Sequence, residues 1–112
     1  VVLGMNIIAF RTIREFYEEH PITENPLRTW YTILKAQTWE KPQDAISTFG
    51  AKSVDTLKNQ RLCIDVKGNH IRVILSMNYE KNTAFIKWIG WHKDYEKLGE
   101  LIHTINSTNP SK

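Results

Sequence analysis

The sequence predicts an α+β domain, with N-terminal helices packed on one face of a small, mainly antiparallel sheet. Three observations carry this. Ile13, Phe16 and Tyr17, then Leu27, Trp30, Tyr31 and Leu34, recur at helical spacing. From Arg61 onward the period changes to strict alternation of polar and apolar residues. Gly68-Asn69 then separates two alternating runs and has the composition of a two-residue hairpin turn. Helices first and a meander after them leave one face of the sheet for the helices to cover.

Each element has its own signal. Asn6 to Phe10 reads as a short strand. Thr12-x-x-Glu15 is a capping box, which predicts a helix start there, and Pro21 ends that helix. Asn25-Pro26 predicts the start of a second helix, with Asn at the N-cap and Pro in the first helical position. A short third helix runs from Pro42 to Phe49 and stops at Gly50. Residues 50–60 are polar and weakly patterned and read as a loop. Arg61 to Lys67 is a half-buried strand, His70 to Asn78 its return, and Thr83 to Gly90 a third strand after a turn at Tyr79 to Asn82. A last amphipathic helix spans Trp91 to about Leu98, and Ser107 to Lys112 reads as a frayed tail. The expected organisation is extra N-terminal residues 1–4, a domain over 5–98 and a C-terminal tail over 99–112.

The Gly68-Asn69 turn fixes a register. Lys67 faces His70, Val66 faces Ile71 and Asp65 faces Arg72. Leu62, Ile64, Val66, Ile71, Val73, Leu75 and Met77 then share an apolar face that belongs under the helices. The opposite face carries Arg61, Cys63, Asp65, Lys67, His70, Arg72, Ile74 and Ser76. An even loop before the third strand adds Phe85, Lys87 and Ile89 to this second face, and sends Ala84, Ile86 and Trp88 to the core.

Composition narrows the function classes. The 112 residues carry a net charge of +3. Residues 1–60 are balanced, so the excess lies between 61 and 97, on the strands and the segment after them. A basic cluster in one part of a domain suits a polyanion, and equally an ordinary solvated surface. No apolar run approaches the length of a bilayer span, and Val1 to Met5 is too short for a secretory signal. The single cysteine, Cys63, has no partner within the chain, which suits a reducing compartment, read as the cytoplasm. His20, His70, His92 and His103 lack metal-ligand spacing with Cys63 or with one another, so no zinc site is expected, and no cofactor is implied.

The second face holds the candidate chemistry, each residue with a plain alternative. Arg72 opposite Asp65 is either a cross-strand ion pair or a planar clamp for phosphate. Arg61, Lys67 and Lys87 either solvate the sheet or line a phosphate path. His92 sits just past the third strand and has the residue type for proton transfer near neutral pH, or is a surface histidine. Tyr95 either orients a substrate or packs the last helix. His70, Trp91 and Lys93 flank this set, and Trp91 offers a ring for base stacking. Trp30, Trp39 and Trp88 read as core, Cys63 as packing, and Gly90 as a turn residue.

Several segments together resemble the HigB-type toxins of the RelE-like group. They are Asn6-Ile7-Ile8-Ala9 with Thr12-x-x-Glu15-Phe16, Pro26-Leu27-x-x-Trp30, and Trp39-x-x-Pro42-x-Asp44. The clearest are Gly68-Asn69-His70-Ile71-Arg72-Val73 and Phe85-Ile86-Lys87-Trp88-Ile89-Gly90-Trp91-His92-Lys93-Asp94-Tyr95. The family's patterns there are Gly-Asn-Lys-Tyr-Arg-Leu and aromatic-Ile-Arg-aromatic-Val-Gly-Thr-His-x-x-Tyr. The match covers about residues 5–98.

That resemblance implies a fold of helices against a curved antiparallel sheet. It implies an endoribonuclease, an mRNA interferase that cleaves translated mRNA, often on the ribosome. It implies neutralisation by a HigA-type helix-turn-helix antitoxin, through which operator DNA is met only indirectly. By position, Arg72 looks like the group's phosphate-binding arginine, His92 like its cationic or acid–base residue, and Tyr95 like the tyrosine beyond it. Lys87 stands where the family has Arg, which keeps charge and loses the bidentate fork. His70 and Trp91 replace Lys and Thr. The rival function is a module that grips RNA or the ribosome and blocks translation without cutting.

Overall fold

In the computed structural model, which describes residues 4–66 and 70–106, a five-stranded sheet organises the chain. The strands are β1 (Asn6–Ile8), β2 (Val54–Leu57), β3 (Arg61–Val66), β4 (Ile71–Asn78) and β5 (Thr83–Trp91), in the order β1-β5-β4-β3-β2. β1 runs parallel to β5, and every other pair is antiparallel. Helices α1 (Phe10–Glu19), α2 (Glu24–Lys35) and α3 (Pro42–Phe49) come between β1 and β2, and α4 (His92–Glu96) follows β5. The expected α+β architecture is present. Among the described residues no helix is long and apolar enough to cross a membrane.

The helix starts differ from expectation in detail. α1 begins at Phe10 with Ala9 as N-cap, so Thr12 lies inside the helix and makes no capping box. Glu15 instead accepts a hydrogen bond from Arg11 one turn earlier, at 2.9 Å. α2 is capped at Thr23 rather than Asn25, and Pro26 falls in the first turn, where backbone N–H groups have no intrahelical partner. α3 keeps its expected bounds. Asp44 accepts the backbone N–H groups of Glu40 and Lys41, and Gly50 leaves the helix at φ 96°.

The main core lies between the helices and one face of the sheet. Ile13, Tyr17, Leu27, Trp30 and Leu34 meet Leu62, Ile64, Val66, Ile71, Val73, Leu75 and Met77 there. The β3–β4 register is the expected one, with Val66 opposite Ile71 and Asp65 opposite Arg72. The Gly68-Asn69 turn, the Lys67–His70 pairing and the Ser107–Lys112 tail lie outside the described residues. Asn82, in the β4–β5 turn at φ 47°, ties the helical layer to the sheet. Its side chain accepts the Trp39 N–H at 2.9 Å and donates to the Gln37 carbonyl at 2.9 Å.

Three features depart from the sequence reading. Residues 54–57 form edge strand β2, within the segment expected to be a loop. β5 carries a bulge: Ile74 faces Trp88 while Leu75 faces Ile86, which leaves Lys87 as the extra residue. Phase therefore reverses beyond Lys87. Ala84 and Ile86 reach the core as expected, but Trp88 turns to the second face and Ile89 to the core side. Gly90 belongs to β5, in register with Arg72, and not to a turn.

The second face is also not an open polar surface. Cys63, Ile74 and Trp88 form a smaller buried cluster. Leu57 and, from the chain after β5, Tyr95, Leu98, Ile102 and Ile105 cover it. A 3-10 turn at Gly99–His103 carries this covering segment back across the sheet.

Candidate active site

Register builds the site. Cross-strand partners share a face, so Asp65, Arg72 and Gly90 form one row of the second face. Asp55, Cys63, Ile74 and Trp88 form the next row. Arg72 thus has carboxylates beside it and diagonally across from it. α4 begins where β5 ends and sets His92 and Tyr95 over the first row. The His92 backbone N–H donates to the His70 carbonyl at 2.9 Å, which fixes that start.

Arg72 is the hub. Its Nε lies 3.1 Å from Asp65 Oδ1 and 3.0 Å from His92 Nδ1. One terminal nitrogen lies 3.0 Å from Asp55 Oδ2. The guanidinium carbon sits 4.8 Å from the Tyr95 ring centroid, a stacked cation–π contact. The Arg72 side chain is 12% exposed and Asp65 is 11%, but Asp55 is 59% exposed. One carboxylate is therefore a sheltered anchor and the other a solvated contact.

His92 bridges outward. Its Nδ1 accepts from Arg72 Nε, and its Nε2 lies 3.1 Å from Glu96 Oε2 one helical turn on. Burial pushes the Asp65 carboxyl up from its ordinary value, and Arg72 opposes that rise. Burial also works against the Arg72 charge, but Cys63, Asp65 and Asp55 outweigh it and its pKa rises. The Tyr95 phenol is raised, first by burial and then by Cys63, to which it hydrogen-bonds. It stays a neutral proton donor at physiological pH. Burial lifts the Cys63 thiol to about 11.

Of the residues singled out from sequence, Arg72, His92 and Tyr95 come together. His70 is exposed beside them, and Lys93 is exposed on α4. Lys87 sits at the bulge, with its ammonium 5.7 Å from the Phe85 ring centroid. Arg61 is not brought to Arg72. It is buried, and donates to the carbonyls of Ile102 and Ile105 at 3.3 and 2.8 Å. Trp91 packs on the helical side against Phe16 and His20, with centroids 5.4 and 5.1 Å away. Lys67 lies outside the described residues.

Two members of the cluster escaped the sequence reading. Asp55 had no local signal, because Val54-Asp55-Thr56-Leu57 runs apolar-polar-polar-apolar and does not alternate. Glu96 had one in its position four residues beyond His92 on a helix.

A family model described as "HigB_toxin, RelE-like toxic component of a toxin-antitoxin system" matches residues 23–98. The chain belongs to the HigB toxin family. A curated relative, the "mRNA interferase HigB" of Escherichia coli O6:H1, is 28% identical over 94 residues. That alignment covers 84% of this chain and 91% of the relative. The family match contains β2, β3, β4, β5 and α4, hence Asp55, Arg72, His92 and Tyr95 alike.

Proposed function

We propose that this HigB-family chain is an mRNA interferase, an endoribonuclease that cuts translated mRNA on the ribosome. The observation that carries the reading is the contact of Arg72, on β4, with both His92 and Tyr95 of α4. RNA cleavage by the ribose 2′-oxygen needs a cation at the phosphate, a proton acceptor and a proton donor. Arg72 supplies the charge for the non-bridging oxygens. The 2′-oxygen bonds to phosphorus, the bond to the 5′-oxygen breaks, and a 2′,3′-cyclic phosphate and a 5′-hydroxyl result. The 2′-hydroxyl gives up its proton and the 5′-oxygen gains one; His92 serves this transfer as acid or base, and Tyr95, held neutral, orients the substrate or assists the transfer. Lys67 and Lys87 add electrostatic support, and His70 and Lys93 contact the RNA strand.

The matched family consists of toxic components of toxin–antitoxin systems. The cognate partner in our reading is a HigA-type helix-turn-helix antitoxin, and the site of action is the cytoplasm.

Primer extension on a reporter mRNA after brief induction tests this. The wild type should give new cuts inside translated codons. His92→Gln should lose them, because general acid–base catalysis contributes about 10²- to 10⁴-fold. Undiminished cuts in His92→Gln would remove His92 from the mechanism. Growth arrest without cuts would leave a translation blocker in place of a nuclease.

A further inference from the structure

We infer that Asp55 occupies the phosphate seat on Arg72 when no RNA is bound, and that the substrate's phosphate displaces it. The inference rests on the assignment of Arg72 to phosphate made above. A carboxylate and a phosphate offer a guanidinium the same thing, a pair of anionic oxygens for its N–H groups.

The two carboxylates on Arg72 are not equivalent. Asp65 is paired in register with Arg72, is 11% exposed and touches Nε, so it fixes the base of the guanidinium. Asp55 approaches from edge strand β2, reaches across the Cys63 row to a terminal nitrogen, and is 59% exposed. Moving Asp65 away would strand a sheltered carboxylate without its cation. Moving Asp55 away returns an exposed carboxylate to water, at little cost. Tyr95 covers a face of the guanidinium, which leaves anions only its edges, and Asp55 holds a terminal nitrogen on one of these.

The arrangement has a use. A sheltered guanidinium with an open seat would take any cellular anion. An exposed internal carboxylate sets a threshold that a phosphate held by further RNA contacts passes and a lone small anion does not.

The test uses inorganic phosphate as probe and the Arg72 Nε–H resonance in ¹⁵N NMR as readout, on the whole chain. Asp55→Asn should lower the phosphate concentration at half-shift by about two- to fivefold, the range expected for an exposed ion pair. Asp94→Asn removes the same charge from α4 without touching Arg72 and calibrates the general field effect. A shift for Asp55→Asn no larger than for Asp94→Asn, or an upward one, overturns the inference. Native chemical-shift dispersion in each variant excludes misfolding as the cause. Failure of the nuclease reading shows separately, as absent mRNA cuts in the wild type with the phosphate titration unchanged.

Discussion

Gly90 lies in register with Arg72, and the place where its side chain would stand is filled by Trp88. A Cβ built there falls 2.5 Å from Cη2 and 2.6 Å from Cζ2 of that indole. Ordinary carbon contacts lie near 3.5–4.0 Å, so Gly90→Ala has to move the ring by about 1 Å. The ring is not free to move, because Trp88 is 8% exposed and is packed with Cys63 and Ile74. Overpacking of a filled core costs about 1–3 kcal/mol. Replacing Gly in a strand recovers about 0.5–1 kcal/mol of backbone entropy. Taken at the midpoints, the net expectation is a loss of about 1.2 kcal/mol, or roughly 5 °C in Tm for a chain of this length. Trp88 also abuts Tyr95, with centroids 6.1 Å apart, so the displaced ring disturbs the stack on Arg72 and activity falls with stability. Urea unfolding of Gly90→Ala, Trp88→Leu and the double variant measures this. Trp88→Leu alone is destabilising, but in its presence Gly90→Ala should cost almost nothing. Additive effects, or a Gly90→Ala protein within about 0.5 kcal/mol of wild type, would refute the argument.

Two further outcomes follow from the second face. Arg61→Met keeps the apolar stem but removes both donors to the Ile102 and Ile105 carbonyls. Limited proteolysis should then cut between residues 98 and 106 at least tenfold faster than in wild type, as expected when about 1.5–3 kcal/mol of charged hydrogen bonding is lost. With its pKa moved from 9.0 to about 11, the Cys63 thiol carries about 100-fold less thiolate at pH 8 than an ordinary cysteine. Alkylation of the native protein should be slower than that of the urea-unfolded chain by at least this factor. The sign of the linked stability is fixed too. The folded state holds the proton more tightly, so this contribution is complete below pH 9 and is lost as pH rises toward 11, which Cys63→Ala should abolish.

Local patterns stated in the sequence survived where one physical rule dominated. The Asp65–Arg72 register follows from strand alternation and a short loop, and the α3 bounds follow from Pro42, Asp44 and Gly50. Legibility failed where two rules compete or where a contact is distant. Thr12-x-x-Glu15 has the letters of a capping box, but Arg11 takes Glu15 and the helix starts earlier. β2 buries only Val54 fully, and an edge strand needs little apolar pattern. The bulge at Lys87 has no mark of its own, since one inserted residue reverses phase without changing composition. Leu98, Ile102 and Ile105 carried a readable helical spacing, and Ile74 an unexplained apolar place on a polar face. Neither made sense until the other was seen above it. Of the site, Arg72, His92 and Tyr95 were legible as residue types in order. The second carboxylate on Arg72, Asp55, depends on a strand that only the fold brings near.

The parallel pairing of β1 with β5 sets an order of assembly. β1 has no partner until β5 exists, because Asn6 pairs with Thr83 and Ile8 with Phe85. His92 and Tyr95 come later still. Contacts of such sequence separation form late, after the intervening chain has been closed into a loop. A chain still growing from its ribosome therefore has neither a closed sheet nor the imidazole that completes the Arg72 cluster. Synthesis in this direction keeps the cluster incomplete until β5 and α4 have emerged.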